Sequence, residues 1–353
     1  MQNGHLVSRS SDWIMYSVEA KNIDAVVGRF GPSTKQGAIV GGQTSTKAPE
    51  IDAFEKHLPA DVEIVSCHSL HGPGVHPVGQ PLAIIAHRCS QKSVDLVEGI
   101  LSCFGSKHVH LSAEKHDRIT ADTQAVTHAA FLSMGTAWQA NNQFPWEIPR
   151  YIGGIENVKI NLTLRIYSNK WHVYAGLAIL NPAAKKQIDQ YAKSVTELYK
   201  LMLGHQREEL TERIHAARKA VFGQRKSEDE LLLQDELLDR FSLGEKPADS
   251  QRVRNNHLSL LAMVDCWWKL GIVPYDHMIC STPVSAVLCH VLWHVADTSQ
   301  LFRLWLGITE YLYRNEDLLN EAIDVGIEDN TFRADDLEFT FAARVSTSLQ
   351  CSG

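Results

Sequence analysis

The amino-terminal third of the chain alternates between two hydrophobic patterns. Short segments with apolar or β-branched residues at every second position predict strands, and longer segments with apolar residues three or four apart predict helices. The predicted strands cover residues 13–18, 37–41, 61–65, 81–88 and 107–111. The helices predicted between them cover residues 22–30, 50–57 and 93–104. Strands that alternate with helices in this way predict a doubly wound α/β sheet.

The rest of the chain is predicted to be helical. Residues 184–222 are rich in Ala, Lys, Glu, Gln and Leu, with apolar positions three and four apart. Residues 227–241 and 257–270 predict two further helices, separated by a polar linker at residues 244–255. Such helices most simply form a core and a partner interface. We therefore expect an α/β sheet followed by an all-α domain.

Polar residues follow three of the predicted strands. Ser17, Ser45 and His68 each stand at the carboxyl end of a strand. Ligands of open α/β sheets bind at that edge, and an imidazole there is suited to proton transfer. His68 is therefore a candidate base, and Ser17 and Ser45 are candidates for the same crevice. The alternative is a surface loop in which His68 and His71 have no function.

Two short motifs at this edge resemble a known family. The letters STK at 45–47 are similar to an S-x-K turn, and HSLHG at 68–72 is similar to an H-P-M-x-G motif, with Ser69 in place of proline. Both motifs are typical of prephenate dehydrogenases, and the chain resembles the fungal, NADP-dependent members most closely. The similarity extends through residues 116–135, 164–182, 255–267 and 274–283. It therefore covers nearly the whole chain.

The resemblance implies a domain organisation. Residues 1–112 are expected to form a partial Rossmann-like, doubly wound sheet that binds the dinucleotide. Residues 113–344 are expected to form an all-α helical domain for substrate binding and dimerisation, followed by an irregular tail at residues 345–353. A homodimer is the implied assembly.

The resemblance also implies a reaction. A hydride passes from the hydroxyl-bearing ring carbon of prephenate to NADP, carbon dioxide leaves, and the ring becomes aromatic as 4-hydroxyphenylpyruvate, in tyrosine biosynthesis. The enzyme then needs a base for the hydroxyl proton and a precise hydride geometry. By this resemblance His68 is the base, and Ser45 holds the hydroxyl or fixes the imidazole. The residues expected to line the cofactor are Ser17, Val18 and Thr44.

Substrate recognition departs from the family pattern. Bacterial members place an arginine for the ring carboxylate where this chain has Gly176. Another cation is then needed, and the nearest candidates are Lys170, Arg165 and His172. On another predicted helix, Gln124 and His128 are four residues apart and therefore share a face, which makes both candidates for substrate binding. A core histidine without a ligand is the alternative for His128.

Two further features depart from the family. No G-x-G-x-x-G turn, which cradles the pyrophosphate of a dinucleotide, occurs in the 353 residues. The first strand resembles the family's fourth, so we expect the chain by itself to bind the dinucleotide poorly and to turn over slowly or not at all. Residues 284–300 interrupt a segment that is continuous in the family. We interpret them as a retained in-frame intron or, alternatively, as a genuine surface insertion.

Composition narrows the function classes. A net charge of −7 without a basic run argues against nucleic acid, and we expect neither a targeting signal nor a membrane span. Seven cysteines without a C-x-x-C pair favour the reducing cytoplasm. The histidine content raises the alternative of a metalloenzyme built on His68, His71 and His76, although no H-E-x-x-H motif is present. Another alternative is a catalytically inactive remnant that still dimerises.

Overall fold

The computed structural model describes residues 3–71, 75–147, 154–168, 179–224, 230–234, 238, 254–280 and 298–348. The chain divides into two compact units. The first contains Met1–Gln124, Ala175–Ala184 and His277–Gln300, and the second contains Ala125–Tyr174, Lys185–Asp276 and Leu301–Gly353. The sequence placed the boundary after residue 112. The first unit continues to Gln124 because Ile119 packs against Ile85 of the sheet.

The described part of the first unit is built on a five-stranded sheet whose strands follow one another in chain order. The strands are β1 (Trp13–Tyr16), β2 (Ile39–Gly42), β3 (Glu63–Ser69), β4 (Pro81–Arg88) and β5 (Lys107–His110). β1, β2 and β3 are parallel, β4 is antiparallel to β3, and β5 is parallel to β4. The sequence predicted the strands but not the reversal at β4. Parallel neighbours need a crossover of a dozen residues or more, and the connection between β3 and β4 is too short for one.

Helices cover both faces of this sheet. They are α1 (Gly4–Ser10), α2 (Ile23–Phe30), α3 (Ala48–His57), α4 (Gln91–Leu101) and α5 (Ala113–Thr120). On one face, Val27 of α2 and Phe54 of α3 pack with Ile64 of β3. On the other face, Val97 of α4 packs with Val65, the next residue of the same strand. Because neighbouring residues of a strand point to opposite faces, the predicted doubly wound architecture is confirmed.

The described part of the second unit is helical, as the sequence predicted. Its helices, two of which begin at the edge of the first unit, are α6 (Val126–Asn141), α7 (Gly154–Tyr167), α8 (Pro182–Leu203), α9 (Arg207–Phe222), α10 (Leu258–Leu270), α11 (Thr298–Arg314), α12 (Glu316–Glu328) and α13 (Arg333–Ser348). A π-helix, Ala121–Ala125, joins α5 to α6. Among the helices that the structure describes, none is both long and apolar enough to cross a membrane.

Three helical predictions were wrong in part. The single stretch predicted over residues 184–222 is two helices, because His205 takes a φ of 50° between them. Residues 230–234, predicted as helix, are not helical, and the Leu232 amide donates to the Glu310 carboxylate at 2.8 Å. The tail predicted as irregular continues α13 as far as Ser348. Residues 284–297 of the predicted insertion, and 244–253 of the predicted linker, lie outside the described residues.

Candidate active site

A buried ion pair ties the turn after β2 to β3 and α3. Lys47 and Glu50 are both fully buried, with Lys47 Nζ 2.8 Å from Glu50 Oε1. Lys47 Nζ also donates to the carbonyl oxygens of Gly42 and Cys67, so its three hydrogens are all used. Glu50 accepts a further hydrogen bond from the Ser66 hydroxyl at 2.6 Å. Lys47 of the predicted S-x-K turn therefore holds two strand ends together and has no hydrogen left for a ligand.

The same carboxylate fills the space beside Gly42. A Cβ at Gly42 would lie 2.2 Å from Glu50 Oε2, so only glycine fits there. Glu50 Oε2 accepts from the Thr44 amide at 3.0 Å and lies 2.7 Å from the Thr44 hydroxyl. Thr44, which the sequence assigned to the cofactor, is buried and has its hydroxyl committed within this turn. A carboxylate in this position excludes a phosphate group from the same place.

His68 lies in β3, just before the carboxyl end of the strand, and its side chain is buried. Its Nδ1 atom is 2.8 Å from Nε2 of His116, which α5 supplies from 48 residues further along the chain. The Nδ1 atom of His116 is in turn 2.9 Å from Oδ1 of Asp117. The candidate base is therefore the first member of a chain of three polar side chains.

Asp117 also caps helix α3. Its Oδ1 atom accepts from the Lys47 amide at 2.7 Å, and its Oδ2 atom accepts from the Ala48 amide at 2.8 Å. A carboxylate at the amino end of a helix satisfies amides that lack an intrahelical partner and faces the positive end of the helix dipole. Asp117 thereby fixes α5 against α3. It also occupies amides at this helix end that would otherwise suit an anionic ligand.

Burial sets the protonation state of both imidazoles. It holds the pKa of His68 well below its usual value, and the nearby charges of His116 and Lys47 lower that pKa further. Burial also lowers the pKa of His116, against the opposing effect of its hydrogen bond to Asp117. Both rings are therefore neutral near neutral pH. A neutral imidazole keeps a lone pair with which it can accept a proton.

The structure places the other predicted edge residues beside one another in the sheet. Ser17 and Val18 follow β1, and Ser45 lies in the turn between β2 and α3. Ser17 is exposed and its hydroxyl donates to Gln43 Oε1 at 3.3 Å, which links the ends of β1 and β2. Val18 and Ser45 are half-buried. Because β1, β2 and β3 are parallel neighbours, these residues and His68 all belong to the same sheet edge.

The two residues predicted to share a helical face fall in different units. Gln124 is buried in the π-helix Ala121–Ala125 at the end of the first unit, whereas His128 lies in α6 of the second. A π-helix has a wider hydrogen-bond spacing than an α-helix, so the four-residue spacing no longer sets a shared face. Burial lowers the pKa of His128 to about 3. This side chain is therefore neutral and cannot supply positive charge to a carboxylate.

The candidate cations for the ring carboxylate are only partly described. Arg165 lies half-buried in α7 of the second unit. Lys170 and His172 lie outside the described residues. The first unit therefore supplies Gln124 as its described candidate for the substrate.

Sequence reasoning missed His116 and Asp117 as functional residues, although both lie inside a segment that resembles the family. Both side chains are on the buried face of α5, together with Ile119 and Thr120. Buried polar groups almost always have hydrogen-bond partners. A His-Asp dipeptide on the apolar face of a short helix was therefore the available signal. Nothing in the sequence identified His68 as the partner.

The described geometry gives the metalloenzyme alternative no support. Among the residues that the structure describes, no group of three His, Cys, Asp or Glu side chains is placed to hold a metal ion. His71 is half-buried, and His76 is exposed. The two histidines that lie within hydrogen-bond distance at this edge, His68 and His116, are bonded to each other.

The second unit matches a known domain family. A model of the 6-phosphogluconate dehydrogenase C-terminal domain matches residues 125–350. This match begins at Ala125, where the second compact unit also begins.

The whole chain is similar to proteins of two yeasts. A probable prephenate dehydrogenase (NADP+) of Schizosaccharomyces pombe is 58% identical over 346 residues, which are 98% of this chain and 76% of that protein. The prephenate dehydrogenase (NADP+) of Saccharomyces cerevisiae is 53% identical over 356 residues, 99% of this chain and 75% of that protein. Among solved structures, prephenate dehydrogenase of Aquifex aeolicus aligns with 60% of this chain and 77% of that one, at 18% identity and a TM-score of 0.47.

Proposed function

This chain belongs to the prephenate dehydrogenase family, and from that premise we propose that His68 is the base of its reaction. The resemblance inferred from the sequence motifs is thereby confirmed. The activity is the oxidative decarboxylation of prephenate to 4-hydroxyphenylpyruvate with reduction of NADP, a step of tyrosine biosynthesis. When bound, NADP accepts the hydride from the hydroxyl-bearing ring carbon.

One observation supports this proposal most directly: His68 is a neutral, buried imidazole at the carboxyl end of a sheet strand. The hydroxyl proton of the substrate must leave as the carbonyl-like carbon forms, and a neutral imidazole accepts it. Aromatisation of the ring supplies the driving force, so the protein has to provide positioning and a base. A positioned base contributes about 10²- to 10⁴-fold in rate.

Ser45 is our second proposed catalytic residue. It lies in the turn that the Lys47–Glu50 pair fixes between β2 and α3. Each hydrogen of Lys47 is used inside the protein, so the turn is rigid while Ser45 itself is half-buried. We propose that its hydroxyl binds the substrate hydroxyl beside His68.

For the cofactor, the residues fit the nicotinamide end rather than the pyrophosphate. The space beside Gly42 is filled by Glu50, and amides at the start of α3 are occupied by Asp117. Neither place is open to a phosphate. Ser17 is exposed and Val18 is half-buried at the same edge, so we propose that they contact the nicotinamide and its ribose. Thr44 contributes by shaping the turn.

For the substrate, we propose Gln124 as a hydrogen-bonding residue, because it belongs to the unit that contains His68. Arg165 and Lys170 remain our candidates for the ring carboxylate, since each carries a positive charge at neutral pH. His128 is retained only as a neutral hydrogen-bonding group, since burial lowers its pKa to about 3. An effect of Arg165→Gln on the KM for prephenate, with kcat unchanged, is the observation that supports a binding role.

We further propose that two copies of the chain associate through α13. Three apolar residues four apart on this helix, Leu337, Phe341 and Val345, are exposed. They lie beside a groove to which α8 contributes Asp189 and Lys193, of opposite charge. Opposite charges along one helix are complementary to a second, antiparallel copy of the same surface. A symmetric homodimer therefore buries the stripe and pairs the charges.

We also propose a cytoplasmic location. The described cysteines, Cys67, Cys89, Cys103 and Cys266, are all free thiols, which suits a reducing compartment. Fractionation of cells that express the tagged chain is the corresponding measurement.

The test of the proposed function is a product assay. The purified chain is mixed with prephenate and NADP, and NADPH and 4-hydroxyphenylpyruvate are both quantified. A version with a complete amino-terminal nucleotide-binding region is assayed in parallel, because the sequence led us to expect slow turnover without one. We expect the two products in equal amounts. NADPH without the aromatic product, or neither product from either version, contradicts the proposal.

A further inference from the structure

Three buried side chains form a continuous hydrogen-bonded chain in the first unit. Asp117 contacts His116 with 2.9 Å between Oδ1 and Nδ1, and His116 contacts His68 with 2.8 Å between Nε2 and Nδ1. The three residues are between 1% and 8% exposed, so water does not compete freely for these bonds. Each bond must therefore have one defined donor and one defined acceptor.

The direction of the chain is set at the Asp117 end. Its carboxylate already accepts the amide hydrogens of Lys47 and Ala48, at 2.7 and 2.8 Å. An ionised carboxylate has only acceptor atoms, so the third contact must also be a donated hydrogen. His116 Nδ1 therefore carries a proton and donates it to Asp117.

The remaining protons follow from this one. A neutral imidazole has one N–H and one lone pair, so Nε2 of His116 is an acceptor. The only arrangement that satisfies the 2.8 Å contact is donation from Nδ1–H of His68 to this lone pair. The Nε2 atom of His68 then has the lone pair. The geometry thus defines which nitrogen of the candidate base accepts a proton.

We propose that His116 and Asp117 are positioning residues that hold His68 in the Nδ1–H tautomer, with Nε2 ready to accept the hydroxyl proton of prephenate. This inference rests on the proposed role of His68 as the base. It adds that the base works through a fixed tautomer and a fixed ring orientation. His116 and Asp117 themselves do not touch the substrate.

The proton balance of the reacting step is simple. The O–H bond of the substrate breaks, and its proton forms a new N–H bond at Nε2 of His68. The Nδ1–H of His68 stays donated to His116, so no proton has to leave the chain of three residues. The new positive charge strengthens that hydrogen bond, and the Asp117 carboxylate at the far end has the opposite charge. The arrangement therefore favours the protonated base without pairing it directly with a carboxylate.

A purely structural role for His116 makes different predictions. In that case the ring only joins α5 to β3, and its loss lowers stability without changing the chemistry of His68. Tautomers are visible by ¹⁵N NMR of the histidine rings, a measurement that needs neither cofactor nor substrate. The positioning role predicts that His68 and His116 are both Nδ1–H tautomers in the unmodified protein. Assignment uses spectra of His68→Asn and His116→Gln.

Two substitutions of His116 separate the roles. His116→Leu removes both hydrogen bonds, whereas His116→Gln keeps an amide oxygen to accept from His68 and an amide hydrogen to donate to Asp117. We expect His116→Leu to lose about 10²-fold in kcat, the typical cost of a misplaced catalytic group, with the KM for prephenate within about threefold. His116→Gln should recover at least about tenfold of this loss. The matched control is His57→Gln, which removes a histidine bonded to Asp24 at 2.9 Å on α3 and should leave kcat unchanged.

The outcomes are distinct. Nδ1–H signals for both rings, together with the kcat loss and its recovery, support the proposal. An Nε2–H signal for His68, or a folded His116→Leu with kcat within twofold of the parent, overturns it. If His116→Leu fails to fold, the tautomer spectrum of the unmodified protein still decides. If His68→Asn itself keeps full kcat, the assignment of the base fails first, and that result differs from a failure of the positioning role alone.

Discussion

At the residue scale, Lys47 has a role that its residue type did not indicate. A lysine in a polar turn at a ligand-binding edge suggests a contact to an anionic ligand. The structure instead buries it completely against Glu50 and gives its remaining hydrogens to two backbone carbonyls. Removing one partner of a buried ion pair leaves an unpaired charge in a medium of low dielectric constant. Lys47 is therefore expected to matter for folding.

We predict that Lys47→Met lowers the free energy of unfolding by about 3–5 kcal/mol, because Glu50 loses its charge partner. Urea denaturation followed by circular dichroism measures the change. The matched control is Lys56→Met on the same helix, since Lys56 pairs with Asp24 at 3.0 Å at an exposed position. Such surface pairs contribute about 0–1 kcal/mol. Equal losses in the two variants would contradict the structural role of Lys47.

The residue scale also separates what the sequence could predict about the site. His68 was found because a strand pattern and a motif both end at this residue. His116 and Asp117 were not found, because the contact between His68 and His116 joins residues 48 positions apart. Hydrophobic periodicity describes which face of α5 is buried. It contains no information about which strand that face meets.

At the element scale, strands were predicted better than their connections. The bounds of β4 were predicted as residues 81–88, and the structure has Pro81–Arg88. Its direction was not predicted, because alternation of apolar and polar residues is the same in parallel and antiparallel strands. The length of the connection, which decides the direction, was the unused signal. A π-helix at Ala121–Ala125 was likewise invisible to a pattern based on α-helical spacing.

Helix ends depended on single residues rather than on periodicity. The break between α8 and α9 falls at Gly204 and His205, inside a stretch whose apolar spacing continues on both sides. Residues 230–234 were predicted as helix, but the Leu232 amide donates to Glu310, a fully buried carboxylate. A tertiary partner thus overrides local propensity. Only the folded structure reveals such a partner.

The exposed stripe on α13 leads to a prediction at the same scale. Phe341→Glu places a charge in the middle of the proposed dimer interface, and burying a phenylalanine contributes about 1.5–3 kcal/mol in each copy. We expect the dimer to weaken by about 10²-fold or more, so that the mass measured by analytical ultracentrifugation falls to that of one chain. Trp146→Glu, which changes another exposed aromatic residue of the second unit, is the control. A parent chain that is already monomeric, or an unchanged dimer in Phe341→Glu, contradicts the proposed interface.

At the scale of the whole molecule, buried histidines couple stability to pH. Burial lowers the pKa of His68, His116, His128 and His257. In the unfolded chain these rings bind protons below about pH 6.5, while the folded state keeps them neutral. The unfolded state therefore gains protons first as pH falls. Their contribution to stability is complete above the unfolded pKa and is lost at lower pH.

His128 gives the clearest test, because burial lowers its pKa to about 3. Between about pH 3 and 6.5 the unfolded chain binds one more proton at this site, which gives a slope of about 1.4 kcal/mol per pH unit. We predict that His128→Phe reduces the pH slope of the free energy of unfolding by up to that amount. Urea titrations across this pH range measure it. His205→Asn, at an exposed residue whose positive φ suits asparagine, serves as control. An unchanged slope in His128→Phe would refute the linkage.

The most direct measurement of the central claim is the kcat of His68→Asn for oxidation of prephenate, in the version of the enzyme with the higher turnover. Asparagine keeps a polar group beside His116 but cannot act as a base. The account predicts that kcat falls by about 10²- to 10⁴-fold, while the Kd for prephenate, from calorimetry, changes by less than about threefold. A variant that folds normally and retains kcat within twofold of the parent contradicts it.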